Sequence, residues 1–315
     1  MMVDRQIVGI DHGNRNIKTG NSIFLNNVNE LSTKPDDLSR ILEYKDRFFE
    51  IGGVPEERKP LRDKTVTDDY YFLTLAAMAQ EFRKRGIKQT GNGLRVRLAV
   101  GLPPRWYQEQ MKSFREYLSR EREITFRYQN IPHKLTLEGT RVYMQGFAAI
   151  TNILDKCSGT TLLVDIGGGT MDTVEIVNKV PDRKRTLIDN YATIKCITHI
   201  NEILVAELGE KAPASLIEQI MREGTCECDK EYLRVITREL RNYADYVYKW
   251  IESNGYNLRL VKIIFMGGGA CILKNFGDNE NKNVSFITDI HANAKGYEET
   301  ERRIMHIKQQ KYKIG

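Results

Sequence analysis

The stretch LLVDIGGGTMDTVEI, Leu162 to Ile176, decides how this chain is read. An apolar run closes on Asp165, and Gly167, Gly168 and Gly169 follow. Thr170 and Asp172 complete the group before apolar alternation resumes. Four to eight apolar residues bounded by glycines predict a buried strand, a tight turn and a second strand. Glycine lets backbone amides approach an anion closely and curl around it, because there is no Cβ in the way. An acid at the mouth of such a turn suits a hydrated divalent cation, which takes few protein carboxylates and keeps its waters.

Two other places repeat the theme. IVGIDHGNRNIKTGN, Ile7 to Asn21, places Asp11 just before Gly13, with Asn14, Asn16 and Lys18 behind it. IIFMGGGACIL, Ile263 to Leu273, ends a buried strand in Gly267, Gly268 and Gly269. Each turn alone is weak evidence, since a glycine-rich strand end is more often only a tight turn. None is a GxxxxGK[ST] phosphate loop or a GxGxxG opening a helix, so the usual mononucleotide and dinucleotide signatures are absent. After both Asp–Gly turns a strand is expected, which makes two β-hairpin phosphate clamps. Lys18 is placed to meet a phosphate as a point charge, and Thr170 adds a hydroxyl.

The 315 residues allow about two domains. Hydrophobic residues make up 41% and charged residues 29%, the balance of a globular protein. No apolar run has the length of a membrane helix, and the N-terminus lacks a secretory pattern, so the reading is cytoplasmic. Five scattered cysteines, with Cys226 and Cys228 in a CEC, do not form a disulfide or zinc framework. The formal charge of +6 favours an acidic partner's approach, but no base-reading module is visible.

Along the chain, Asn26–Lys45 reads as a polar stretch, DRFFEIGG as a hairpin arm, and Pro55–Asp69 as a loop. Phe72, Leu75, Ala79 and Phe82 predict a helix, and LRVRLAVGLP predicts a strand. Tyr107, Met111, Phe114 and Leu118 mark a second helix. Short strands are expected from Ile124 to Met144, and a helix from near Gln145. In the second half, RTLIDNYATIKC reads as a strand. Helices are expected near Pro213–Arg222 and Glu231–Glu252, the latter with a core stripe of Leu233, Ile236, Leu240, Tyr243 and Val247. A last helix over Asp289–Lys311 is expected to return to the first half. The chain thus holds two α/β halves.

The ordered set of motifs resembles the actin-like ATPase superfamily. IVGIDHGNRNIKTG is similar to its first phosphate motif, TLLVDIGGGTMD to its second, and IIFMGGGACIL to its adenosine motif. VYMQGFAAI, from Val142, resembles the first connecting segment, and FITDIHANAKGY, from Phe286, the return. Within the superfamily, VGLPPRWYQEQMKSFREYL and DDYYFLTLAAMAQEF are similar to bacterial ParM/StbA-type plasmid-segregation actins. The resemblance implies an actin-like (ribonuclease H-like) α/β fold with two related domains around a nucleotide cleft. Residues 1–158 with 286–315 would form one domain, and 159–285 the other.

It also implies ATP or GTP as ligand, with Asp11 and Asp165 holding magnesium through water. Gly13, Asn14, Asn16 and Lys18, with Gly167, Gly168, Gly169 and Thr170, would meet the phosphates. Gly267, Gly268 and Gly269 would lie against adenosine, and Glu218 and Glu223 are candidates for the ribose. Gln145 matches the position that orients the attacking water. A glutamine there departs from the ParM glutamate and cannot act as a base. The implied partners are further copies of the chain, head to tail in a filament, and a DNA-bound adaptor of ParR type. Neither direct nucleic-acid binding nor membrane attachment is implied. A small-molecule kinase and a non-polymerising actin-like scaffold remain the alternatives. The first lacks a carboxylate base at Gln145, and the second lacks an amphipathic tail.

Overall fold

The structure is a computed structural model that describes residues 5–53, 63–88, 93–151, 153–154, 157, 159–182, 185–278 and 280–314, with side chains through 310. It divides into two compact units. Unit 1 comprises Met1–Asn152 and His291–Gly315, and unit 2 comprises Ile153–Ile290.

Unit 1 is built on a nine-stranded sheet, ordered β3-β2-β1-β7-β9-β8-β5-β6-β4. Its centre is β1 (Arg5–His12), β7 (Leu94–Leu102) and β9 (Ile131–Met144), all parallel. β2 (Asn16–Lys18) and β3 (Ile23–Leu25) extend β1 by antiparallel hairpins. β4 (Val28–Leu31), β5 (Ile41–Tyr44), β6 (Arg47–Ile51) and β8 (Glu123–Tyr128) complete the other edge. The polar stretch expected over Asn26–Lys45 therefore contains two strands. Val28, Ile41, Leu42 and Tyr44 are buried, and these few apolar positions suffice for four-residue strands paired to β6. Residues 54–62 of the expected loop lie outside the described residues.

The strand β9 runs 14 residues where several short strands were expected. Its buried set switches from His133, Leu135 and Leu137 to Thr140, Val142 and Met144. A bulge causes the switch: Val96 pairs Leu137 but Arg97 pairs Gly139, whose φ is +145°. An extra residue reverses which face the following side chains take. The bulge therefore fixes the parity of the strand that leads into Gln145.

The expected helix at Gln145 is instead a turn followed by a 3-10 segment, Phe147–Ile150. Gly146 adopts φ +78°, a left-handed conformation that breaks an α-helix, and its N–H is taken by Asn293 Oδ1 at 2.8 Å. The expected helices over Phe72–Phe82 and Tyr107–Leu118 are α1 (Asp69–Lys84) and α2 (Pro104–Leu118). α1 is buried almost all round, and Phe72 stacks on Phe49 at 4.0 Å. The returning helix, α7 (Ala292–Ile314), covers β1 and β7. Its approach is close. A Cβ on Gly9 would lie 2.0 Å from the Ala294 carbonyl oxygen, and one on Gly101 the same distance from the Tyr297 hydroxyl.

Unit 2 carries a second sheet, ordered β12-β11-β10-β14-β15, with β13 paired to β11. β10 (Thr160–Ile166) and β11 (Met171–Val177) form the second Asp–Gly hairpin. β12 is Val180–Asp182, β13 Ile188–Asp189, β14 Lys262–Met266 and β15 Val284–Ile287. β10, β14 and β15 are parallel. The helices are α3 (Thr193–Leu208), α4 (Ala214–Glu223), α5 (Lys230–Ser253) and α6 (Ala270–Phe276). The expected α5 stripe is core: Ile236, Leu240, Tyr243 and Val247 are buried and Leu233 is packed against them.

One expectation for this unit is overturned. RTLIDNYATIKC contributes only the two residues of β13 before α3 begins. Its Thr and Ile content suggested a strand, but Cys196, Ile197, Ile200 and Leu204 are buried at helical spacing.

One buried histidine links the fold of unit 1 to pH. His133 stacks on Phe126 at 4.9 Å, and burial pushes its pKa down to about 4. An unfolded histidine protonates near pH ~6.5. Between those values the unfolded chain binds more protons, so stability falls as pH drops, by at most about 1.4 kcal/mol per pH unit. Urea midpoints of the wild type and His133→Phe at pH 7, 6 and 5 should converge as pH rises and diverge as it falls. Parallel curves would remove His133 as the cause.

Candidate functional site

In open α/β sheets, ligand-binding residues gather at the carboxyl ends of the parallel strands. Both units place their Asp–Gly turns there, each built separately from its own strands, whereas Glu218 and Glu223 lie on α4.

In unit 1, Asp11 stands at the end of β1 and is only 2% exposed. The hairpin register sets it opposite Lys18, whose ammonium lies 3.8 Å from Oδ2. Gln145 follows the end of β9, and its backbone N–H donates to the Leu102 carbonyl of β7 at 2.9 Å. Its side-chain Nε2 donates to Asp11 Oδ1, also at 2.9 Å. Asp11 and Lys18, on one hairpin, thus meet Gln145, 134 positions beyond Asp11, at the ends of the central strands. A buried carboxylate is tolerated when it accepts such bonds and faces a cation.

Gly13, Asn14 and Asn16 form the turn between β1 and β2. A Cβ on Gly13 would come within 2.7 Å of the Asn16 carbonyl oxygen, so the turn is too tight for any other residue. Asn26 Nδ2 donates to the Gly13 carbonyl at 2.8 Å and to the Tyr70 hydroxyl at 3.0 Å, pinning the turn from outside. Behind Asp11, His12 is fully buried and donates to or accepts from Thr74 Oγ1 at 2.8 Å. Burial, and then the Lys64 ammonium, hold its pKa well below the usual value, so it stays neutral. Sequence reading missed Asn26 and the His12–Thr74 pair, which are joined across intervals of dozens of residues.

In unit 2, Asp165 ends β10 and pairs in register with Asp172. The Gly167 N–H donates to the Thr170 carbonyl at 2.9 Å, closing the turn. The Thr170 hydroxyl donates to Asp172 Oδ2 at 2.7 Å. The carbonyls of Gly167 and Gly168 accept from the N–H groups of Thr193 and Ile194, at 3.3 and 3.0 Å. Two of the orphan donors in the first turn of α3 are therefore met by the hairpin itself. No sequence signal marked Thr193 for this task.

The third glycine group lies beside the second because β14 is parallel to β10. Gly267 adopts φ +83°, and a Cβ there would meet Asp165 Oδ1 at 2.3 Å and the Ile166 carbonyl oxygen at 2.6 Å. Gly269 N–H donates to the Ile166 carbonyl at 2.9 Å, and a Cβ on it would meet Ile166 Cγ2 at 2.3 Å. A Cβ on Gly268, by contrast, meets no atom within 4 Å. α4 packs on α6, where Asn275 Nδ2 donates to the Met221 carbonyl at 2.9 Å. Of the ribose candidates on α4, Glu218 is half-buried, while Glu223 is exposed and accepts from Gln219 at 3.0 Å.

Among the described residues, no cluster of three or more His, Cys, Asp or Glu is arranged to hold a metal. That donor set does not fit a structural ion caged by side chains. A single carboxylate beside a glycine turn suits instead a hydrated cation, which keeps its waters and takes few protein ligands. Among the described residues, no helix is long and apolar enough to cross a membrane.

Comparison with known proteins agrees with this arrangement. The family model for the N-terminal domain of actin-like proteins matches residues 9–147, and that for the Alp7A C-terminal domain matches residues 160–293. No curated protein is matched. Among solved structures, the archaeal actin homologue Ta0583 in complex with ADP superposes with a TM-score of 0.74 at 16% identity, covering 94% of this chain and 99% of that one. The actin-like protein Alp7A gives 0.73 at 14% identity, covering 98% of both chains. Alp12, solved in its filament, gives 0.68 at 17% identity, covering 94% and 98%. The fold is the expected two-domain α/β actin-like fold.

Proposed function

Because the chain belongs to the actin-like proteins, with an Alp7A-type C-terminal domain, we propose that it is a filament-forming nucleotidase that segregates plasmid DNA. In this reading it binds ATP or GTP with magnesium, and its filaments act on DNA through a bound adaptor protein. The observation that carries the reading is the repeated hairpin. Twice in one chain an aspartate ends a central parallel strand and heads a glycine turn, and in unit 2 that aspartate touches the backbone of a second glycine turn. ADP in the archaeal homologue and the filament of Alp12 support it.

The residues divide the work by their chemistry. Backbone amides at Gly13–Asn16 and Gly167–Thr170 bind phosphate oxygens, with Lys18 adding a compact positive charge. Asp11 and Asp165 hold the waters of magnesium, which supplies charge neutralisation to the phosphates when bound. Gln145 is an amide and moves no proton. With its Nε2 committed to Asp11, its Oε1 is the atom that accepts from a water and orients it. Gly268 offers open backbone for the adenosine ring, and Glu218 and Glu223 lie on the helix facing the ribose.

Loss of the γ-phosphate removes the contacts that a phosphate-binding hairpin makes with it, which is the differential interaction a two-state assembly needs. Head-to-tail contacts are heterologous and extend without closing. Sedimentation decides the matter: the protein should pellet with ATP and magnesium, and remain in the supernatant with ADP. Equal and negligible pelleting at high concentration rejects the filament. Electron micrographs with ATP and with GTP then identify the preferred nucleotide.

A further inference from the structure

Behind the first hairpin lies a buried ionised group that the proposed chemistry does not use. Glu81, on α1, is 0% exposed. Its Oε2 accepts from the Thr19 hydroxyl and from the Asn21 backbone N–H at 3.1 Å. Its Oε1 accepts from Asn21 Nδ2 at 2.6 Å and from Arg85 Nε at 2.7 Å. Burial pushes the Glu81 pKa up, but the bonds from Thr19, Arg85 and Asn21 outweigh it and hold the carboxyl below its usual value. Arg85 is itself anchored, donating to the Ile7 carbonyl of β1 at 2.8 Å and pairing with Glu298 on α7.

What this group holds is the exit of β2. That strand is three residues long and ends at Lys18, which pairs with Asp11 on one side and Ile23 on the other, so the chain beyond Lys18 is held by the turn that follows. Residues 19–22 form the turn that leaves it, closed by Thr19 N–H to the Ser22 carbonyl at 2.9 Å and Ser22 N–H to Thr19 Oγ1 at 2.9 Å. Glu81 takes three donors from that turn. The Thr19 carbonyl is taken from the other side by His291 Nδ1 at 2.8 Å.

We propose that Glu81 is the positioning residue for Lys18: its carboxylate clamps the Thr19–Ser22 turn to α1 and so sets the ammonium that meets the nucleotide phosphates. The inference rests on the nucleotide reading above. A carboxylate is required because it alone accepts four donors at once. The neutral amide of glutamine would turn an NH₂ toward either Arg85 or Asn21, both of which are donors.

Calorimetry with ATP and magnesium on Glu81→Gln, Lys18→Ala and the double variant tests the clamp. Glu81→Gln should weaken binding about tenfold, in line with losing charge-assisted bonds. The double variant should bind no worse than Lys18→Ala alone, because Glu81 acts through that lysine. Additive losses, or wild-type affinity in Glu81→Gln, overturn the proposal. If Glu81→Gln fails to fold, Asn21→Ala serves, since it removes a donor from the turn without stranding a buried charge. It should follow the same non-additive pattern with a smaller loss.

Hydrogen exchange in the nucleotide-free protein separates this inference from the nucleotide reading. Amides of residues 17–22 should lose protection in Glu81→Gln while those of β7 keep theirs. Unchanged exchange at 17–22 defeats the clamp even if the wild type binds ATP. A wild type that binds no triphosphate, with exchange at 17–22 loosened, defeats the nucleotide reading and the role given to Lys18, and leaves only the turn clamp.

Discussion

Replacing Asp165 by alanine should lower the magnesium-dependent affinity for ATP by about a hundredfold. Asp165 closes β10 at the head of the second glycine turn, and it is the carboxylate that unit 2 brings against both of its glycine groups. Removing it takes away a hard oxygen ligand for the cation's waters, and no cluster among the described residues substitutes for it. Asp165→Asn, which keeps the shape and loses the charge, should bind almost as poorly. A merely structural aspartate would be rescued by the asparagine. Wild-type affinity in either variant, measured by calorimetry with magnesium present, removes Asp165 from the site.

Gly267→Ala and Gly268→Ala should behave as opposites. At Gly267 the backbone is left-handed, and the new methyl would press on a carboxylate oxygen and on the Ile166 carbonyl oxygen, which belongs to a paired strand and does not yield. Strain of this kind together with overpacking costs about 2–4 kcal/mol. The urea midpoint of Gly267→Ala should fall clearly. Gly268→Ala meets nothing within 4 Å and should unfold like the wild type. If Gly268 lies under adenosine, that silent methyl should still weaken nucleotide binding. A Gly268→Ala protein that binds ATP as the wild type does would move the base elsewhere. A Gly267→Ala protein of unchanged stability would contradict the close packing of the two glycine turns.

Local pattern and long-range contact divide what could be read in advance. LLVDIGGG and IIFMGGG declare themselves because a buried strand ending in glycines is a property of adjacent residues. The contact of Asp11 with Gln145 was not legible, since 134 positions separate them and no periodicity connects them. The start of α3 was misread because Tyr191–Cys196 is rich in β-branched and aromatic residues. Its helical state depends on carbonyls of Gly167 and Gly168, which only the folded hairpin presents. The turn at Gln145 was misread for a similar reason: Asn293, at the far end of the chain, caps Gly146. Nothing in the sequence singles out Asn26, or Glu81 within DDYYFLTLAAMAQEF. Each is an ordinary polar residue made important by what the fold sets against it.

The discontinuity of unit 1 has a consequence for how the molecule is made. Its sheet begins with residue 5, yet the helix that covers β1 and β7 starts at Ala292, after all of unit 2. On the ribosome, unit 2 has its whole sequence while unit 1 still lacks α7, and domains fold as units during synthesis. The bare strip around Gly9 and Gly101, shaped to receive Ala294 and Tyr297, stays open until those residues have been made.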